Sequence, residues 1–280
     1  MTEIPAAREV IAEGKTKKIL AVPGTSEVDI VSKDWITAGD GARRHLLVGK
    51  GVLATTTTVN VFQLLRKAGY ANHFIEHVDS VTFRARRLRM IPVEFVARRV
   101  ATGSYVKRNP DVAEGTYFDQ PIVELFLKDD VRHDPLMIRE GGRWALYDPK
   151  LPISPTSRIG ILDEHFFTQR CGADLTPELT HDRTNDTSDI FLMIERAWGR
   201  QEIVVPDYKL EYGVTPFGKV TVGDVIDNDS WRLWPHGDKH RELSKQRYRD
   251  AKAVTPEILD EILSLYAQVA GRTMLFFNDN

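Results

Sequence analysis

Asp207, Lys209, Glu211, Asp224, Asp227, Asp229 and Arg232 crowd into one stretch, VPDYKLEYGVTPFGKVTVGDVIDNDSWRLW, at 205–234. Residues 208–214 and 219–226 alternate in polarity on either side of Thr215-Pro216-Phe217-Gly218, which predicts a β-hairpin with a Pro/Gly turn. With Thr215 to Gly218 as the loop, Glu211 lies opposite Val222. Asp224 is then its diagonal neighbour on the same face, with Asp207 and Lys209 beside them. A slip of one residue would undo this arrangement. Two carboxylates held so close repel each other unless one takes a proton or a divalent cation sits between them. Oxygen ligands on a stiff hairpin suit Mg²⁺ or Mn²⁺, which take one or two carboxylates and leave other positions to water and nucleotide phosphates. A polar sheet face turned to solvent would show the same pattern, so the other segments have to decide.

Four of them carry charge in places where chemistry is plausible. IAEGKTKKIL at 11–20 predicts a strand, a turn at Gly14 and a second strand. Gly14-Lys15-Thr16 resembles the end of a P-loop, but Glu9 stands where the first glycine is needed and no helical pattern follows. Lys15 and Lys17 on one strand face would suit nucleotide phosphates, or form a solvated hairpin. WITAGDGARR at 35–44 predicts a loop whose glycines flank Asp40, with Arg43 and Arg44 offering anion contacts, or simply a turn with a surface acid. The run at 90–110 is apolar but for Glu94 and closes with Arg98, Arg99, Lys107 and Arg108 around Thr102-Gly103-Ser104. Arginine forks at a Gly-Ser turn match phosphate or carboxylate oxygens, and equally describe a strand end with a basic loop. The strand at 121–127 ends in Lys128-Asp129-Asp130, with His133-Asp134-Pro135 beyond, offering a lysine for a nucleotide and acids for a metal or an amine.

These segments need a scaffold, and 280 residues with 42% hydrophobic and 28% charged residues can bury a substantial core in two lobes. Residues 28–32 predict a strand, Thr55 to Ala68 an amphipathic helix stopped by Gly69, and 74–88 a strand and turn with a solvated basic edge. The 141–177 stretch is proline-rich and aperiodic, which predicts a long surface excursion. A helix follows around Ile190, Ile194 and Ala197. The run DKHRELSKQRYR reads as a solvated face, and Thr255-Pro256-Glu257 caps a last helix reaching about Phe276. A formal net charge of -2 gives no case for nucleic acid or membrane. Cys171, the only cysteine, excludes an internal disulfide and a cysteine-built zinc site. No apolar run reaches membrane-spanning length and the start has no signal segment, so the cytoplasm is the expected location.

Taken in order, EGKTK, SKDWITAGDGAR, MIPVEFVARRVATGSYVKRNP, VELFLKDD with HDP, VPDYKLEYG and VIDNDSWRLWP resemble the segments of the SAICAR synthetase family over nearly the whole chain. ITAG and DVIDNDSWRLWP are most similar to the synthetase half of the animal bifunctional enzyme. The resemblance implies an α+β, two-lobed fold. A kinase- or ATP-grasp-like nucleotide lobe is expected over 1–89, and a larger mixed α/β C-terminal lobe over 90–280, ending in a long helix. It implies a ligase of purine biosynthesis that uses ATP and Mg²⁺. Its substrates would be 5-amino-1-(5-phosphoribosyl)imidazole-4-carboxylate (CAIR) and L-aspartate, and its products SAICAR, ADP and phosphate. The lobes are expected to close before reaction, because an acyl phosphate would hydrolyse in water.

The resemblance also implies residue roles. Gly14, Lys15 and Lys17 would line the triphosphate, Met90 to Val93 would hold adenine, Lys128 would contact ATP, and Glu211 and Asp224 would bind Mg²⁺. Asp40, Glu94, Arg98 and Ser104 match the CAIR side. Arg232, Lys245 and Arg249 match anion-binding positions, and Asp130 and Asp134 match acids near the substrate. Asp40, Lys209 and Arg232 would act in catalysis, with Asp40 or Asp130 taking the proton of the amine. A homo-oligomer is left open. Two other readings remain at this point, a related amide ligase with another acid or amine, and a nucleotide-binding protein without turnover.

Overall fold

Antiparallel sheet backed by helix builds both units of the computed structural model, an α+β architecture in which the structure describes residues 8–39 and 41–277. The chain runs through β1 (Val10–Glu13), β2 (Lys17–Ala21), β3 (Glu27–Ser32), β4 (Trp35–Ala38), β5 (Arg43–Leu46), α1 (Lys50–Lys67), β6 (Phe74–Asp79) and β7 (Thr82–Arg86). Next come β8 (Arg89–Val100), α2 (Ser104–Arg108), β9 (Tyr117–Leu127), β10 (Leu136–Glu140), β11 (Arg143–Tyr147), β12 (Arg158–Ile161), α3 (Phe166–Cys171) and α4 (Pro177–Gly199). Last are β13 (Ile203–Val204), β14 (Asp207–Val214), β15 (Val220–Gly223), β16 (Trp234–Pro235), α5 (Gln246–Asp250) and α6 (Pro256–Met274). Of the described residues, those up to 88 together with those from 248 onward form one compact unit, and 89–247 the other. The last helix therefore belongs with the N-terminal unit, not with the C-terminal lobe expected over 90–280. Its apolar stripe decides this, since Ile262 and Tyr266 close a core with Ile36, Leu47 and Tyr248.

In the first unit the sheet order is β1-β2-β3-β7-β6. α1 begins at Lys50, ahead of the expected Thr55. Gly49 has no side chain to cap it, and the Asp34 carboxylate does so from a distance, accepting the Gly51 N–H at 2.8 Å. Phe62 on α1 is fully buried against Phe74 and Phe83, with ring centroids 6.2 and 6.0 Å away. Burial of such a side chain contributes about 1.5–3 kcal/mol. Thr255 caps α6 as its position predicts, accepting the Ile258 N–H at 3.4 Å ahead of Pro256. Residues 35–44, expected as a loop, instead form most of a hairpin in which Trp35 pairs with Leu46 and Ala38 with Arg43. Gly39 and Gly41, at φ 58° and 92°, make its turn.

The second unit is a seven-stranded sheet in the order β12-β11-β10-β9-β8-β14-β15. Phe95, Ala97, Tyr208, Leu210 and Tyr212 are all buried on one face, and α4 packs against β8 and β9. Thr187 of α4 lies 2.9 Å from the Tyr212 hydroxyl. Pro92 lacks an N–H. It falls in β8 where the pairing with β14 shifts between Glu211 and Gly213, so no ladder bond is lost. The 141–177 stretch is not a surface excursion. It adds β11 and β12 to the sheet and buries Ala145, Leu146, Leu162, Phe167, Cys171 and Leu175, because its short strands gain partners that no local period announces. Nor is the charged run 238–249 all solvated, since Leu243, Ser244, Lys245 and Tyr248 are buried. Among the described residues no helix is long and apolar enough to cross a membrane.

Candidate active site

Three neighbouring strands gather the charged residues of the second unit onto one face. β8 and β14 pair Glu94 with Glu211, Val96 with Lys209 and Arg98 with Asp207. β9 sets Glu124 opposite Val96. Paired residues share a face and successive ones alternate, so Glu94, Arg98, Glu124, Asp207, Lys209 and Glu211 all stand on the side opposite Phe95, Leu210 and Tyr212.

One end of this face alternates carboxylate and ammonium. Lys209 Nζ donates to Glu94 Oε1 at 2.7 Å and to Glu211 Oε1 at 3.3 Å. Lys128, directly after β9, donates to both Glu211 oxygens at 2.7 and 2.8 Å, and its own amide donates to Pro92 O at 2.9 Å. Burial alone would lower the pKa of Lys209, but the Glu94 and Glu211 carboxylates outweigh it and raise it above the ordinary lysine value. Lys209 therefore stays an ammonium. Asp134, at φ 52°, accepts the Asp129 N–H at 2.7 Å. Burial raises its carboxyl pKa, and the charges of Glu94 and Asp130 push the same way. Asp130 opens the one-turn helix between them. Lys245, 5% exposed, donates to Asp229 at 2.7 Å.

The other end is a chain of arginines and acids. Asp207 accepts from Arg98 Nη1 at 2.9 Å and also from Arg232. Glu124 accepts from Arg98 and, at 2.8 and 2.7 Å, from Arg108. Arg232 arrives here because the chain returns along β14. Lys209 N–H donates to Ser230 O at 2.7 Å, Arg232 N–H to Asp207 O at 3.2 Å, and Trp231 bridges to Tyr208. Trp231 meets Trp198 edge-on at 5.4 Å, so the bulky ring before Arg232 anchors the segment on the apolar side. Gly103, at φ 60°, lies so close to Arg232 that a Cβ there would sit 2.5 Å from its Nη2. Ser104 follows as the first residue of α2. The structure thus engages the Arg98 fork with two acids at 4% exposure, where the motif led us to expect a substrate contact.

The hairpin register differs from expectation by one residue. Val214 pairs with Val220, and Glu211 with Gly223 instead of Val222. Thr215 is the cause. Its N–H donates to Lys219 O at 2.9 Å and its Oγ1 accepts the Lys219 N–H at 3.1 Å, so the loop takes in Lys219 as well. Strict alternation would now send Asp224 to the other face. β15 ends at Gly223, however, and Asp224 follows at φ 61°, so strand parity no longer sets its direction. Among the described residues no three His, Cys, Asp or Glu side chains form a metal cage, which leaves a site of one or two carboxylates as the form a divalent ion would take.

Gly14, Lys15, Lys17 and Arg249 belong to the first unit. The Gly14 N–H donates to Lys17 O at 2.9 Å, and Lys33 Nζ donates to Gly14 O at 2.8 Å. Lys17 opens β2, whereas Lys15 sits in the turn ahead of it, so the two do not share a strand face as expected. Gly41 lets Lys15 lie close, since a Cβ there would come within 3.2 Å of its Cε. Asp40 lies outside the described residues. Arg249 is exposed on α5. At the start of β8, Met90 is half-buried and Val93 fully buried.

Two acids escaped the sequence pattern. Glu124 could have been found as Glu94 was, as a lone acid in an apolar strand. Glu242 sits in a charged run and gives no such signal. Burial raises its carboxyl pKa against a hydrogen bond from Ser244, within the fields of Arg232 and Asp207.

Comparison with known proteins bears on this arrangement. A family model described as SAICAR synthetase matches residues 10–264. A phosphoribosylaminoimidazole-succinocarboxamide synthase of Roseiflexus sp. (strain RS-1) is 45% identical over 271 residues, covering 96% of this chain and 98% of the relative. The multifunctional protein ADE2 of Gallus gallus is 38% identical over 278 residues, 97% of this chain and 60% of its own length. A solved SAICAR synthetase in complex with ADP is 27% identical with a TM-score of 0.74, covering 95% of this chain and 97% of that one. The bacterial relative is nearer in sequence than the animal protein whose wording the motifs resemble.

Proposed function

Because the chain belongs to the SAICAR synthetase family, we infer that it joins CAIR to L-aspartate at the expense of ATP, giving SAICAR, ADP and phosphate in purine biosynthesis. One observation carries the reading at the level of residues. The polar face of β8, β9 and β14 sets a lysine-carboxylate end beside an arginine end, on rigid strands.

A carboxylate is a poor electrophile at neutral pH, so its phosphorylation must precede attack by the aspartate amine. Phosphoryl transfer needs positioning and charge neutralisation and no protein nucleophile. Gly14, Lys15 and Lys17 are assigned to nucleotide phosphates, Met90 and Val93 to the adenine, and Lys128 to ATP. Mg²⁺ suits the donor set. Glu211 is a buried oxygen ligand, and an ammonium spanning both its oxygens marks a spot that accepts a cation. Glu211 and Asp224 would hold the ion, which when bound neutralises charge on the transferring phosphoryl group. Lys209 bridges Glu94 and Glu211 and offsets their mutual repulsion. Arg232, braced by Asp207, is assigned to a phosphate or carboxylate of the substrate, with Ser104, Lys245 and Arg249 as further anion contacts. Arg98 acts through Asp207, holding the acid that holds Arg232. The amine must lose a proton to attack, and Asp130 and Asp134 offer carboxylates for it. Burial raises the pKa of Asp134, which suits a proton acceptor. We assign the activity to the cytoplasm.

The test is turnover by the purified protein with ATP, Mg²⁺, CAIR and aspartate, following ADP and SAICAR. Nucleotide binding with neither product would sink the ligase reading. ADP formation only with a different acid or amine would move it to a related amide ligase.

A further inference from the structure

We propose that Lys128 is a tethered counter-cation for Glu211, one that covers the carboxylate until a divalent ion displaces it. This rests on the reading of Glu211 as a metal ligand. Glu211 is 4% exposed, and a carboxylate so buried is costly without a cation partner. Two lysines supply one, and they are not equivalent. Lys209 lies on the same strand and bridges two acids, Glu94 and Glu211, which fixes it from both sides. Lys128 hydrogen-bonds Glu211 through both oxygens and is 41% exposed. It stands just past the end of β9, its backbone pinned by the bond to Pro92 O, so its side chain can swing without disturbing the sheet.

Two consequences follow from this geometry. A divalent ion reaches Glu211 only by expelling the Lys128 ammonium, which weakens binding of the bare ion. A phosphate group nearby would draw the freed ammonium to itself, so nucleotide and metal would each favour the other's binding by the same factor. The lysine thus serves as a positioning residue for the ion as well as a phosphate contact.

The experiment measures Mn²⁺ binding to the nucleotide-free protein by electron paramagnetic resonance, with circular dichroism to establish folding. Lys128→Met should bind Mn²⁺ about threefold to fivefold tighter than wild type, the upper end for one half-exposed ion pair removed. Lys128→Arg should stay within about twofold of wild type, because it can hold the same carboxylate. A second measurement needs no variant. In wild type, saturating Mn²⁺ should speed acetylation of Lys128 relative to the exposed Lys219, read by peptide mass spectrometry. Unchanged Mn²⁺ affinity in folded Lys128→Met, or acetylation of Lys128 indifferent to bound Mn²⁺, overturns the exchange. Glu211→Gln separates this failure from that of the underlying reading. If it binds Mn²⁺ as wild type does, Glu211 is no metal ligand; if it loses Mn²⁺ while Lys128→Met gains nothing, only the exchange fails.

Discussion

Replacing Gly103 with alanine tests how the arginine end is held. Gly103 sits at φ 60°, ψ −128°, a conformation that costs a residue with a Cβ about 1–3 kcal/mol. The new Cβ would fall 2.5 Å from Arg232 Nη2 and 3.1 Å from its Cζ, so the guanidinium must move. Moving it weakens the pair with Asp207. A hydrogen bond to a charged group contributes about 1.5–3 kcal/mol, and the 18% exposure of Arg232 argues for the low end. Strain and lost pairing together come to about 2.5–4.5 kcal/mol, or roughly 5–18 °C in Tm for a chain of this size. If Arg232 binds a substrate anion, the KM for CAIR should also rise about tenfold, the value of one such contact. The assay is calorimetry and steady-state kinetics on Gly103→Ala, Arg232→Ala and the double variant. Should Gly103 act through Arg232, the double variant will match Arg232→Ala in KM while keeping the backbone strain in its Tm. A further tenfold rise in KM in the double variant, or an unchanged KM in Gly103→Ala, would refute the reasoning.

Glu211→Gln or Asp224→Asn should abolish turnover without unfolding, since each removes a proposed metal ligand at constant size; wild-type activity in either refutes the assignment. Lys209→Met should cost about 3 kcal/mol at neutral pH, because Glu94 then loses its ammonium partner while facing Glu211, whose own cover is reduced to Lys128 and whatever else contacts it. Urea melts at neutral pH read the loss, and one below about 1 kcal/mol contradicts this. His73 is buried and its pKa is lowered from 6.5 to about 3, by desolvation first and then by Lys17 and Arg86. The unfolded chain therefore takes that proton first, and stability should fall as pH drops below about 6.5, by up to about 1.4 kcal/mol per unit. His73→Phe should lose this slope between about pH 7 and 4.5; equal slopes in the two proteins argue against it. Arg99 donates to both Glu195 oxygens at 2.6 and 2.7 Å and to the Phe118 and Asp119 carbonyls at 2.9 Å, at 5% exposure. Arg99→Met should destabilise by about 3–5 kcal/mol in urea, and a loss below about 1 kcal/mol would show that the pair is replaceable.

Local chemistry made much of this protein legible in its sequence. A strand buries one side and alternates, so the lone Glu94 in an apolar run and the Asp-x-Lys-x-Glu of β14 announced charged residues on a strand face. Thr255-Pro256 announced the start of α6, because a cap acts on the next turn of its own chain. The family wording of the motifs named the chemistry. The tertiary structure decided which residues became partners. The hairpin slipped by one residue because Thr215 hydrogen-bonds Lys219, a choice that the alternation of polarity on either side leaves open. The short strands of 141–177 and the early start of α1 depend on partners contributed from elsewhere in the chain, the sheet for one and Asp34 for the other. Lys128 reached Glu211, and Arg232 reached Asp207 beside a glycine too small to obstruct it, only after β9, β14 and the returning segment had come together. Spacing along the chain specifies which face a side chain takes, whereas its distance to a residue far away in sequence is set by how the strands pair.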